Sequence, residues 1–324
     1  MGSDNLAYSV ASRPYSCGAE IGHVPNALRR GRVVPSMDTR SEIERFLRTG
    51  DYDAHSGAWP GDILERERRA HDELRQSLAM EVQRRTAGIG VPEKLQGLDV
   101  VALTRRKVEP MVRGLFPSAE QDAVLAVLER SVVFLTPANI SQVLLKSSWL
   151  NTAWDLANLY LLSVGAELLG EDAPRLLGLS EHTTCYVSLS YFDEESPFAD
   201  FLVHEAAHVF HNCKRRTAGL PETRRREWLL DVDFRKRETF AYACEAYSSF
   251  VEAGRSPQER LALAEEYAAR AAPSDERVSV AEVVELVREA AAARNGWKRI
   301  LARCAPETRD VTRGTVKGVL SISR

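Results

Sequence analysis

The sequence predicts an α+β fold in which helix dominates, and three observations carry that reading. Short β-branched or alternating runs occur only in the middle of the chain. Stretches with helical spacing lie before and between them. The last third is patterned as helix alone. Strands mixed with helices, followed by helices only, is the order expected of an α+β domain. The 324 residues suffice for one large domain or two small ones with a sizeable core.

Residues 1 to 38 are rich in Ser, Arg, Pro and Gly with little periodicity, and read as an extended arm. SEIERFLRTG reads as a short helix from Ser41. GDILERERRAHDELRQSLAMEVQRRTAG reads as a long one, with Leu64, Leu74, Leu78 and Met80 among its apolar positions. TAGIGVPEK breaks the chain, which places a boundary near residue 95. Residues 1–95 then form an arm with helices, a possible cover or pro-segment, and 96–324 form the main domain.

LDVVAL (98–103) and SVVFL (131–135) are β-branched runs with polar flanks, hence expected strands. WLNTAWDLANLYLLSVGAELL carries Asp155, Glu167 and two asparagines, so it reads as a buried helix and not a membrane span; Trp149, Trp154 and Tyr160 are expected to pack behind the sheet. SEHTTCYVSLSYF alternates: Cys185, Val187, Leu189 and Tyr191 face one way, and Tyr186, Ser188 and Ser190 the other, which predicts a half-buried strand over 183–192. Ser196 then offers a helix N-cap and Pro197 a first helical position. Further helices are expected up to Gly254, a C-cap, and over roughly 256–271 and 278–304.

A net charge of −3 gives no reason to expect a nucleic-acid partner. The N-terminus lacks a basic segment followed by an apolar run, and Leu6 occupies the position where a myristoylation signal needs Ser or Thr. No membrane partner and a cytoplasmic location are expected. The five cysteines (Cys17, Cys185, Cys213, Cys244, Cys304) are scattered without a CxxC pair, as expected of reduced thiols.

The informative stretch is FLVHEAAHVFHN, residues 201–212, which holds three of the seven histidines. HEAAH is an HExxH motif. Residues four apart share a helix face, so His204 and His208 are placed to bind one metal ion through imidazole nitrogens. Glu205 projects beside that ion, where it serves as general base toward a metal-activated water. The alanines between the histidines and the apolar Val203, Val209 and Phe210 suit a dry site.

VHEAAHVF, after an expected strand, resembles the zincin metallopeptidases. The resemblance implies a zincin-like core with a small mixed sheet, the HExxH helix and a following helical subdomain. It also implies that the 183–192 strand lies at the sheet edge and holds extended peptide, with Tyr186, Ser188 and Ser190 toward the substrate. A third ligand is needed. HEAAHVFHNCK lacks the glycine that a third-histidine branch of the family carries. The gluzincin branch takes a glutamate from a later helix, and RETFAYACEAY offers Glu238 and Glu245, about two turns apart on one face. ETFAYA resembles the glutamate helix of the anthrax-lethal-factor type, which favours Glu238, with Glu245 as the alternative or as a partner of a ligand. The thermolysin-like branch carries aspartate where this chain has Tyr242, so the carboxylate that orients a histidine must come from Glu245, Asp231 or Asp233. Tyr242, one turn after Glu238, is the first candidate to donate to the developing oxyanion; His211, seven residues after His204, is another residue for the substrate side, and Tyr247 a third.

Three basic clusters, 214–216, 224–226 and 235–237, read either as recognition of an acidic group or as solvated helix ends with neighbouring carboxylates. His23, His55, His71 and His182 are isolated, although His182 precedes the expected strand. Cys213 and Cys244 read as packing residues.

The expected activity is therefore zinc-dependent hydrolysis of a peptide or protein substrate. Two histidines and a carboxylate also describe a non-haem Fe2+ site that would modify a peptide or metabolite, though Glu205 would then have no evident task. A non-catalytic metal-binding regulatory module is the third possibility.

Overall fold

The computed structural model describes residues 38–306, apart from positions 92, 225, 271 and 274. Apart from Asp38, the arm expected over 1–38 lies outside the described residues, as do Cys17 and His23. The fold is α+β and helix-dominated. Eleven α-helices and a three-stranded sheet are described.

Helix α1 (Thr39–Thr49) starts where the Asp38 carboxylate accepts the Ser41 N–H at 2.7 Å. It stops at Gly50, whose φ of 73° suits glycine and whose absent Cβ leaves room for the Trp154 ring. Helix α2 (Ile63–Arg85) is capped by Asp62 and buries Ala70, Leu74, Leu78 and Val82 along one narrow line. Of the other apolar positions, Leu64 and Met80 fall off that line and are exposed.

Helix α3 (Val100–Leu115) replaces the strand expected over 98–103. Asp99 caps it by accepting from the Ala102 N–H at 2.9 Å, and Leu103, Val108, Met111, Val112 and Leu115 then fall on its buried side. Helix α4 (Ser118–Leu128) leads into β1 (Val132–Phe134), within the second expected strand. Helices α5 (Ile140–Lys146) and α6 (Leu150–Ser163) follow. Almost all of α6 is buried, including Trp154 and Tyr160, but Trp149 precedes it and is 55% exposed.

Strand β2 (Gly178–Glu181) turns through His182, which sits at φ 55°, into β3 (Thr184–Val187). Strand order is β1–β3–β2, with β3 parallel to β1 and antiparallel to β2. This arrangement corrects the reading of 183–192 as an edge strand. Strand β3 is central, with Tyr186 opposite both Val133 and Leu179, so neither side of its backbone is open to a peptide. It also ends early, because the Ser188 hydroxyl accepts from the Ser190 N–H and starts a 3₁₀ turn over Leu189–Asp193.

The remaining helices are α7 (Phe201–Asn212), α8 (Arg237–Ala253), α9 (Pro257–Arg270), α10 (Val280–Ala292) and α11 (Gly296–Cys304). Gly254 does follow α8. The single helix expected over 278–304 is broken near Asn295, whose side chain caps α11 at the Lys298 N–H.

Two apolar cores flank the sheet. One joins α3, α4, α7, α8, α10 and α11 to β1 and to Cys185 and Val187 of β3. The other joins α1, α2, α5 and α6 to Leu179 of β2, with Tyr186 packed against it. The division between cores therefore does not fall at residue 95, since α1 and α2 pack with α5 and α6. The four described cysteines are buried free thiols. No helix among the described residues is long and apolar enough to cross a membrane.

Candidate metal centre

The HExxH helix α7 begins later than Ser196 and Pro197 suggest. Its cap is Asp200, whose Oδ1 accepts the Val203 N–H at 3.1 Å; Ser196 only stabilises a preceding turn through the Phe198 N–H. Every residue from Phe201 to His211 is buried. Ala206 and Ala207 pack without exposure, letting neighbouring elements close over the helix. Three histidines and a glutamate on such a helix must find partners inside the protein.

Two of them, His204 and His208, find those partners in α8. His204 Nδ1 lies 3.0 Å from Glu245 Oε2, and Glu245 Oε1 accepts the Asp200 N–H at 2.8 Å. The carboxylate at Nδ1 makes that nitrogen the donor and leaves the Nε2 lone pair free. His204 Nε2 and His208 Nε2 face each other at 3.3 Å, and Glu238 Oε2 lies 3.7 and 3.6 Å from them. Two nitrogens at zinc–nitrogen bond lengths of 2.0–2.1 Å with a tetrahedral angle are about 3.3 Å apart, so the donor set fits one metal ion. Among the described residues, His204, His208 and Glu238 form the group able to hold one.

Electrostatics points the same way. Burial disfavours charge on His204, but hydrogen bonds that it donates to the Glu238 and Glu245 carboxylates outweigh this and lift its pKa to about 10. Burial also works against the Glu238 carboxylate, yet His208 and His204 hold its pKa well below the usual range. The carboxylates thus favour positive charge where the three donors meet.

Glu238 and Glu245 take different places, on opposite nitrogens of the same imidazole. Glu238 Oε1 is held by Arg277 Nη1 at 2.9 Å, and Arg277 is gripped by Asp275. The Tyr242 hydroxyl donates to Asp275 Oδ2 at 3.1 Å while its ring packs 4.6 Å from that of His204. That hydroxyl is engaged with Asp275, and Tyr242 buttresses the His204 ring. Tyr247 packs on Trp297 instead. His211 Nε2 contacts His208 Nδ1 at 3.2 Å, and burial with the neighbouring His208 keeps the His211 pKa well below its usual value.

Glu205 is fully buried, and neither carboxylate oxygen has a hydrogen-bond partner among the described residues. Burial raises its pKa, against the pull of His208 and His204. It lies against Gly178 of β2, where a Cβ would stand 2.6 Å from its Cγ and Oε1. Glycine is needed there for close approach, not for backbone conformation.

The expected substrate residues are not brought to this centre. Tyr186 points to the opposite core, and Ser188 is fully buried with its hydroxyl 2.8 Å from that of Ser190. Strand β2, not 183–192, is the edge strand beside α7 and Glu205. Sequence reasoning missed Arg277, Asp275, Gly178 and the Asp200–Lys107 pair (3.2 Å), which anchors the start of α7. Only Asp200 had a local signal, as an acidic residue directly before the helix. Replacing Glu245 by Gln is expected to weaken metal affinity about 10–100-fold by loosening His204; competition with a chromogenic chelator measures it.

No protein-family model matches the chain, and no curated protein or solved structure matches it significantly.

Proposed function

We propose that the chain is a zinc-dependent metallopeptidase of zincin type, with His204, His208 and Glu238 as ligands and Glu205 as general base. The observation that carries this reading is the convergence of three donor atoms beside a buried carboxylate that has no other partner among the described residues. A divalent ion held there supplies Lewis acidity toward water and a peptide carbonyl.

The protein's own groups account for the rest. Glu205, its pKa raised by burial, is suited to take a proton from the attacking water and return it to the leaving amine. Glu245 fixes the His204 tautomer, and Arg277 keeps one Glu238 oxygen turned from the donors. Strand β2 replaces 183–192 as the strand nearest the reacting groups. The alternative iron site leaves Glu205 without a task, which favours hydrolysis.

Mass spectrometry of a diverse peptide library tests the proposal. Cleavage by zinc-loaded protein, absent in Glu205→Gln with equal zinc, is the expected result. Equal cleavage by both would remove Glu205 from the mechanism.

A further inference from the structure

A cavity of about 260 Å³ opens beside the metal centre, lined by His211, Trp228, Leu230, Phe234 and Arg237. It is smaller than the cavities that hold drug-sized ligands, and suits one side chain or chain end.

Its polar chemistry follows from the centre. With His208 Nε2 turned to a metal ion, His208 Nδ1 carries the proton and donates to His211 Nε2 across 3.2 Å. His211 must then hold its own proton on Nδ1. That atom is buried, in a side chain only 3% exposed, and has no partner among the described residues. The Nε–H of Arg237 is likewise buried without a partner. Both residues line the same small space, Arg237 is cationic, and a buried donor without an acceptor is destabilising.

The basic clusters sharpen this. Lys214 pairs with Glu227, and Arg215 and Arg226 with Glu120, as solvated or structural groups do. In the third cluster Lys236 pairs with Glu282, but Arg237 has no ion pair among the described residues and stacks over Phe234, which is 57% exposed. Two acidic residues also line the cavity. Asp231 is exposed, and Asp233 Oδ1 already accepts the Arg235 N–H.

We infer that this cavity is a recognition site for a carboxylate, bound by Arg237 and the Nδ1–H of His211, with Trp228 and Phe234 as apolar walls. The inference rests on the metallopeptidase reading, which supplies the His208 tautomer and makes the bound group part of a peptide. The carboxylate is either an acidic side chain or a chain terminus.

Tryptophan fluorescence of the full zinc-loaded chain tests it, with Trp228→Phe identifying the reporting residue. The probes are N-acetyl-aspartate amide for a side chain, N-acetylglycine for a terminus, and N-acetyl-asparagine amide as the uncharged control. Saturable binding of either acid but not of the control, weakened at least about tenfold in Arg237→Met and partly restored in Arg237→Lys, is the expected result; the acid that binds names the source. Equal binding of acid and control, no binding of either acid, or unchanged binding in Arg237→Met would overturn the inference. Zinc content and circular dichroism verify that the Arg237 variants fold. Library cleavage is scored separately, so failure of the peptidase reading is distinguishable from failure of the carboxylate site.

Discussion

Glu205→Gln is expected to lower peptide turnover by about 10²–10⁴-fold, the range that a positioned general base contributes, while zinc content stays at the wild-type level. The same substitution is expected to raise the melting temperature. Glu205 is fully buried, and neither of its oxygens has a partner among the described residues. An unsatisfied buried polar group is destabilising by about 1–3 kcal/mol, and more when charged. The amide has nearly the same shape, so it fits beside Gly178 and needs no charge. Less activity with more stability is the signature of a group retained for chemistry. Steady-state cleavage and calorimetry on one preparation check both halves; a variant that loses activity and stability together would point to a structural role.

The second large effect concerns the ion. Binding to the folded state alone stabilises by about 2.7 kcal/mol at a hundredfold excess over the dissociation constant. For a chain of this size that is on the order of 4 °C in melting temperature. Zinc is expected to give a shift of that order in the wild-type protein and none in His208→Ala, with a smaller shift in Glu245→Gln at limiting zinc. Scanning fluorimetry with and without zinc measures all three. An equal shift in His208→Ala would place the ion elsewhere.

The parts of this account that were legible in the sequence are those set by local periodicity. His204 and His208 are one turn apart, and Glu238 and Glu245 two turns apart, so a helix alone places each pair on one face. Which glutamate meets which nitrogen depends on how α7 and α8 cross, and no spacing within either helix states that. Arg277 reaches Glu238 from 39 residues away, and Lys107 reaches Asp200 from a different helix. The strand errors have a common cause. A short apolar run has no decisive period, so LDVVAL read as a strand although Asp99 was already visible as a cap. GLSE, with one large apolar residue, passed unread although it forms one edge of the sheet. The alternation over 183–192 correctly separated Cys185 and Val187 from Tyr186, but alternation cannot tell a central strand from an edge one.

The most telling test is the metal content of the 324-residue chain, purified without chelators and measured by inductively coupled plasma mass spectrometry beside His204→Ala and His208→Ala. Close to one zinc per wild-type chain, lost in both variants, is the expected result. Wild-type protein that carries no stoichiometric metal, and takes up none on dialysis against zinc, would contradict it.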